Sequence, residues 1–162
     1  MEDMVDIVDE NDSIIGKTSW EDASKNNLRR RVVRVFILNS KGEMLIAQRS
    51  QAVTRHRRFW AQSAGGSVDS GEKYEDAAQR ELFEEVGIKT KLKFLFKING
   101  SGSICAVFEG VYDGKIKTNW EVDGAEFIKI DKLKKEIENN SRDFTDGFKE
   151  CFRKYLEFKK IK

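Results

Sequence analysis

The stretch "GEKYEDAAQRELFEEVGI", residues 71 to 88, sets Glu81, Glu84 and Glu85 within two turns of one amphipathic helix. Like charges one turn apart repel, so the fold must answer them. At about 100° per residue with Tyr74 as origin, Ala77 falls at roughly −60°, Ala78 at about 40°, Leu82 at about 80° and Val86 at about 120°, making one apolar face. On the same wheel Glu81 lies at about −20° and Glu85 at about 20°, inside that face, with Glu84 flanking at about −80°. A merely wet acidic face would lie opposite the apolar stripe. Burying two unpaired carboxylates costs many kcal/mol or forces protonation. A divalent cation held by oxygen ligands removes the conflict. Ion pairs with Lys or Arg from elsewhere in the fold are the alternative, and plain solvent exposure a third.

The flanks sharpen this. Asp69 is placed to cap the helix, with Glu72 completing a capping-box-like pair, and Gly87 fits a C-terminal stop. Gly65-Gly66 lets backbone approach a metal or phosphate closely. The Gly65 carbonyl is then a natural further oxygen ligand; an ordinary strand-to-loop bend is the plainer account of the glycine pair. His56 is the only histidine in the chain, so no second one is available for a serine or cysteine triad, and it is expected at the surface.

The rest of the chain predicts strands at "MVDIV" and "SIIGKT", a helical turn at "WEDASKNN" and a hairpin over 31 to 49. A basic loop, "QAVTRHRR", precedes a short strand, "FWAQSA". Further strands are expected at "KLKFLFKIN", "SICAVFEGVY" and "AEFIKI", with helices at "DKLKKEIENN" and at "SRDFTDGFKECFRKYLEF", where Phe144, Phe148, Cys151, Phe152, Tyr155 and Leu156 recur at helical spacing. Strands interleaved with helices make an α/β (α+β) layered domain. The 162 residues are expected to form one domain, with residues 1–30 as an N-terminal extension of strands packed on it. Lys and Arg number 30 against 28 acids, a balance that gives no strong nucleic-acid signal. No apolar run is long enough to span a bilayer, and the acidic start is unlike a signal peptide. Cys105 and Cys151 lie in apolar patterns with no metal-type spacing, as free buried thiols of a reducing cytoplasm. No feature sets an oligomeric state.

Gly66, five residues, Glu72, seven residues, Arg80-Glu81-Leu82, one residue, Glu84-Glu85, one residue, Gly87-Ile88: this spacing resembles the complete Nudix box, with no departure at any defined position. "EMLIAQRS" resembles the strand before the box, and "WEVDGAEFIKIDKL" resembles the segment after it. The resemblance implies the Nudix fold, a mixed β-sheet sandwiched between helices. It implies Mg²⁺ (or Mn²⁺) and hydrolysis of a nucleoside diphosphate linked to another moiety, or of a related small-molecule pyrophosphate. Carried over position by position, Glu81, Glu84 and Glu85 are metal ligands, joined by Gly65. Glu72 and Arg80 brace the loop onto the helix. Gly66, Glu72 and Gly87 are the structural residues of the box. Arg80 is placed with Glu84 and Glu121 among the catalytic residues, the two glutamates as alternative bases for the attacking water. Arg49, Arg57 and Arg58 are the candidate phosphate contacts, from a run that also holds Arg55. Trp60 and Trp120 are candidates to stack on a base, or else core.

The opening "VDIVDENDSIIGKTSWEDA" and "NSKGEMLIAQRS" also resemble isopentenyl-diphosphate isomerases, which share the fold. The isomerase needs a cysteine where Gly65 stands and a histidine where Ser67 stands. It needs a further histidine on the strand reading "RRRVVRVF", and glutamates where this chain has "NGSGS". The hydrolase set is complete and the isomerase set is not, so hydrolysis is expected. An isomerase, or a Nudix module that only binds a nucleotide or a protein, is the alternative.

Overall fold

The computed structural model describes residues 3 to 161. In chain order its elements are β1 (Met4–Val8), β2 (Ile14–Ser19), α1 (Trp20–Lys25), β3 (Arg30–Leu38), β4 (Met44–Arg49), β5 (Trp60–Ala61), β6 (Ala64–Ser67), α2 (Tyr74–Val86), β7 (Lys93–Asn99), β8 (Ser103–Val111), β9 (Val122–Ile128), α3 (Ile130–Asn139) and α4 (Asp146–Lys159). The sheet is mixed. β3 runs parallel to β8 from Arg30↔Ser103 to Leu38↔Val111, and antiparallel to β6 from Val32↔Ser67 to Val35↔Ala64. β1 and β2 extend the sheet beside β3.

Strand alternation splits the core in two. Val33, Val35 and Ile37 face α2, where they meet Ala78, Leu82 and Val86. Phe36 faces the other way, onto Phe148, Phe152 and Tyr155 of α4 and Leu133 of α3. The helices therefore sandwich the sheet.

Four elements differ from expectation. The 31–49 hairpin is paired only at Leu38↔Met44 before β3 and β4 part. Buried Ser63 sits in the fork, accepting from Ile37 N–H at 2.9 Å and donating to the Leu45 carbonyl at 2.6 Å. "FWAQSA" becomes two short strands, so Gly65 and Gly66 lie in β6 rather than in a bend. α4 begins only at Asp146 because Thr145 caps it, accepting from Phe148 N–H. Phe144 is instead buried beside Trp60 through a strand bridge. Asp69 does not cap α2: Gly71, at φ +82°, turns the chain first, and the helix starts after Lys73. Half of the expected reciprocal pair survives, with Glu72 accepting from Asp69 N–H at 3.0 Å.

Candidate active site

α2 buries Ala77, Ala78, Glu81, Leu82 and Val86 together, so an acid does share the apolar face. Two local features allow it. β6 brings Gly65 and Gly66 across the helix, and Glu85 Oε1 accepts from Gly65 N–H at 2.9 Å. A Cβ on Gly66 would lie 2.5 Å from Glu81 Oε1, so only glycine leaves room for that carboxylate. The helix ends at Gly87, φ +70°, against Lys117, whose N–H bonds the Val86 carbonyl. This carries the chain back past the site towards Glu121.

Arg80 is the hub on the other side. Its Nε and Nη2 donate to the two Glu72 oxygens, both at 2.9 Å, and Nη2 also bonds the Ser67 carbonyl at 3.0 Å. Nη1 reaches Glu81 at 2.8 Å and Glu84 at 3.5 Å. The clasp between Glu72 and Arg80 thus forms, with Glu72 contributing from the turn before the helix. Arg80 holds the Glu72 carboxyl below the usual carboxylate range.

Burial pushes the Glu81 carboxyl up to about 7 against the pull of Arg80, with Glu84 and Glu121 adding repulsion. Burial and the neighbouring Glu81 push Glu85 well above its ordinary value, with Glu121 adding to this and Gly65 N–H and Arg49 opposing. One guanidinium therefore does not neutralise the group. The donors are hard oxygens without His or Cys, the set that suits Mg²⁺ or Mn²⁺. The only partly compensated Glu81 and Glu85 carboxylates and the Gly66 cradle fit such an ion. Among the described residues no three acids converge on one point, because Glu81 and Glu84 are turned onto Arg80.

These residues line a cleft of about 820 Å³. It also takes in Arg49 and Glu121, while exposed Trp120 stands at its wall. Arg57 and Arg58 are not brought to it: Arg57 donates to the Val53 carbonyl, and Arg58 pairs with Asp123 at 2.8 Å. Trp60 packs with the α4 core under Arg142. Cys105 and Cys151 are free and buried. Sequence reasoning missed Arg30, Arg34, Trp20 and Gln62, which line the same cleft. Arg30 and Arg34 carried a readable signal, since they alternate with Val32 and Phe36 on one strand face, as the glutamates interrupt the apolar face of α2.

The NUDIX domain profile matches residues 28–148. The chain is 33% identical to an uncharacterised Nudix hydrolase of Pseudomonas aeruginosa over 75% of this chain and 76% of that one. It is 32% identical to an isopentenyl-diphosphate Delta-isomerase of Photorhabdus laumondii over 92% of each chain. It spans about half the length of some other Nudix hydrolases that it matches. The DR0079 protein of Deinococcus radiodurans superposes with a TM-score of 0.81 at 28% identity, covering 93% of this chain and 98% of that one. Fold and box together define an enzyme that splits pyrophosphate bonds. The chain belongs to the Nudix hydrolase family.

Proposed function

We propose that this protein is a Mg²⁺- or Mn²⁺-dependent hydrolase that cleaves the P–O–P bond of a nucleoside-diphosphate-linked or related small diphosphate in the cytoplasm. The observation that carries it is the pair of carboxylates of buried Glu81 and part-buried Glu85, held against Gly65-Gly66 with less positive charge than they need. A bound cation would supply that charge, neutralise the pyrophosphate and acidify a bound water. Glu81 and Glu85 would hold the ion with Glu84 and the Gly65 carbonyl. Arg80 positions Glu81 and Glu84 through its clasp on Glu72. Glu84, which is exposed, and Glu121 both line the cleft and are the alternative bases for the water's proton. Arg49 would meet the phosphates, and Trp120 offers an open ring to a base. Release of phosphate or mononucleotide from a panel of pyrophosphates, with and without millimolar Mg²⁺, tests this; hydrolysis unchanged by chelation refutes it.

The isomerase relatives match more than nine-tenths of this chain, which makes isomerisation the second reading to test. Protonating an alkene needs an acid beside the diphosphate, and the cysteine and glutamates that the resemblance requires are absent here. No interconversion of isopentenyl and dimethylallyl diphosphates is expected. Deuterium from heavy water entering the allylic product at an enzyme-like rate would overturn the hydrolase assignment.

A further inference from the structure

The cleft extends well past the glutamates, and its far end is positive without an acid to answer it. Arg30 and Arg34 share one face of β3. Arg34 lies opposite Gly65 in the β3–β6 register, so it flanks the metal-binding end. Arg30 stands four residues further along, about 13 Å away at the rise of an extended strand. Among the described residues neither makes an ion pair. Arg34 has a thiol for a partner, Cys105 Sγ at 3.9 Å, and its guanidinium lies directly over Gly147.

Arg30 is less satisfied still. Its Nε is buried with no hydrogen-bond partner, and Nη1 makes only a long 3.5 Å contact to the Leu28 carbonyl. Burial lowers its pKa, and the nearby cation Arg55 lowers it further. Arg55 is itself fixed, donating to Ser24 Oγ at 2.6 Å and lying over the Trp20 ring. The acids Asp3 and Asp69 also line the cleft, but they group with each other and with Arg80. A half-buried guanidinium whose buried Nε lacks a partner, beside a second cation, is unfavourable on its own. A bound dianion reverses that balance.

We propose that Arg30 anchors a second anion subsite, walled by Trp20, Asn27 and Ser103, and that the substrate carries a phosphate monoester in addition to the diphosphate that is cleaved. This rests on the hydrolase reading for the word substrate; the anion subsite itself does not. A phosphate dianion would answer the charge of Arg30, to which Arg55 adds positive potential nearby, and would present oxygens to the planar Arg30 fork.

Two measurements test it. The first is a thermal melt with inorganic phosphate in the absence of divalent cation. Phosphate should raise the wild-type melting temperature by mass action. Arg30→Gln should weaken the apparent phosphate affinity by at least about tenfold, the scale of a hydrogen bond to a charged group. Arg30→Lys, which keeps the charge, should fall between them and serves if the glutamine variant folds poorly. Glu85→Gln, expected to be inactive, should retain the phosphate shift. The second compares hydrolysis within pairs that differ by one phosphate monoester, NADPH with NADH and coenzyme A with its dephospho form. The wild type should prefer the phosphorylated member, and Arg30→Gln should abolish that preference by lowering turnover of the phosphorylated member more than that of the other. Absence of a phosphate shift in the wild type, or the wild-type shift in both Arg30 variants, overturns the subsite. Equal turnover of both members by the wild type overturns the substrate class. If nothing in the panel is hydrolysed, the hydrolase reading fails and the melts still decide the subsite.

Discussion

Asp12 ties three elements together, and replacing it with asparagine isolates its charge. At φ +64° the position favours Asp or Asn, so the backbone is not strained by the change. The carboxylate accepts from Arg31 Nε at 2.7 Å, from Lys97 Nζ at 2.7 Å and from the Tyr74 hydroxyl at about 3.0 Å to each oxygen. It thereby fastens the β1–β2 turn to β3, β7 and α2. Asp12 and Arg31 side chains are 16% and 19% exposed, so their bond is largely shielded; Lys97 is 42% exposed and is discounted for solvent screening. One shielded hydrogen bond between charges contributes about 1.5–3 kcal/mol, and the Tyr74 bond survives in the amide, so the expected loss is about 2 kcal/mol. For a chain of this size that lowers the melting temperature by roughly 4–8 °C. Burial raises the Asp12 pKa, but Lys97, Arg31 and Tyr74 outweigh it, so the folded value lies below the ordinary 3.8. Its contribution is therefore complete above the unfolded value and is lost as pH falls through the folded one. Urea melts followed by tryptophan fluorescence at pH 7 and in stepwise acid measure both effects. A variant within about 0.5 kcal/mol of wild type at pH 7, or a difference that persists at the acid limit, would refute the ion-pair assignment.

Glu84→Gln and Glu85→Gln should each fold normally, since the helix is relieved of repulsion, yet lose most pyrophosphate hydrolysis; near-wild-type turnover at saturating Mg²⁺ would remove that residue from the ligand set. Mg²⁺ should raise the melting temperature of the wild type by binding only the folded state, and Glu81→Gln should narrow the gap; a temperature constant across millimolar Mg²⁺ would mean that internal ion pairs suffice. Gly65→Ala should cost about 2 kcal/mol of stability, because its Cβ would meet the Val33 carbonyl at 2.7 Å and backbone must shift. Gly66→Ala meets only the movable end of Glu81, so it should weaken the Mg²⁺-dependent melting shift more than stability; the reverse ranking would misplace the cradle.

Local periodicity made the acidic helix legible. The angular position of Glu81 among Ala77, Leu82 and Val86 needs only the helical repeat, and the structure buries those four together. The clasp of Arg80 on Glu72 was legible as a pair but not as geometry, because Gly71 turns the chain and leaves Glu72 outside the helix. Direction within the basic loop was not legible. A run of cations fixes solvation, not aim, and Arg58 finds its partner in Asp123, 65 residues away. The same limit hid Arg30 and Arg34. Their alternation with Val32 and Phe36 put them on one face, but only the register of β3 with β6 and β8 carries that face into the cleft.

Gly65 is where the hydrolase and the isomerase part within one fold. Its N–H holds Glu85 in place, so the backbone there is part of the acidic centre. Its Cα faces the Val33 carbonyl and Gln62 Nε2, which a Cβ would meet at 2.7 and 3.0 Å. Val33 and Gly66 are partners across the β3–β6 ladder, so that carbonyl cannot move without disturbing the strand pairing that presents the glycines. By the resemblance drawn above, an isomerase requires a cysteine side chain at this point. Here the position lacks the thiol, and the surrounding backbone leaves no room for one. The same close approach that sets the glycines against Glu81 and Glu85 therefore excludes the thiol on which the isomerase depends, and supports the hydrolysis proposed above.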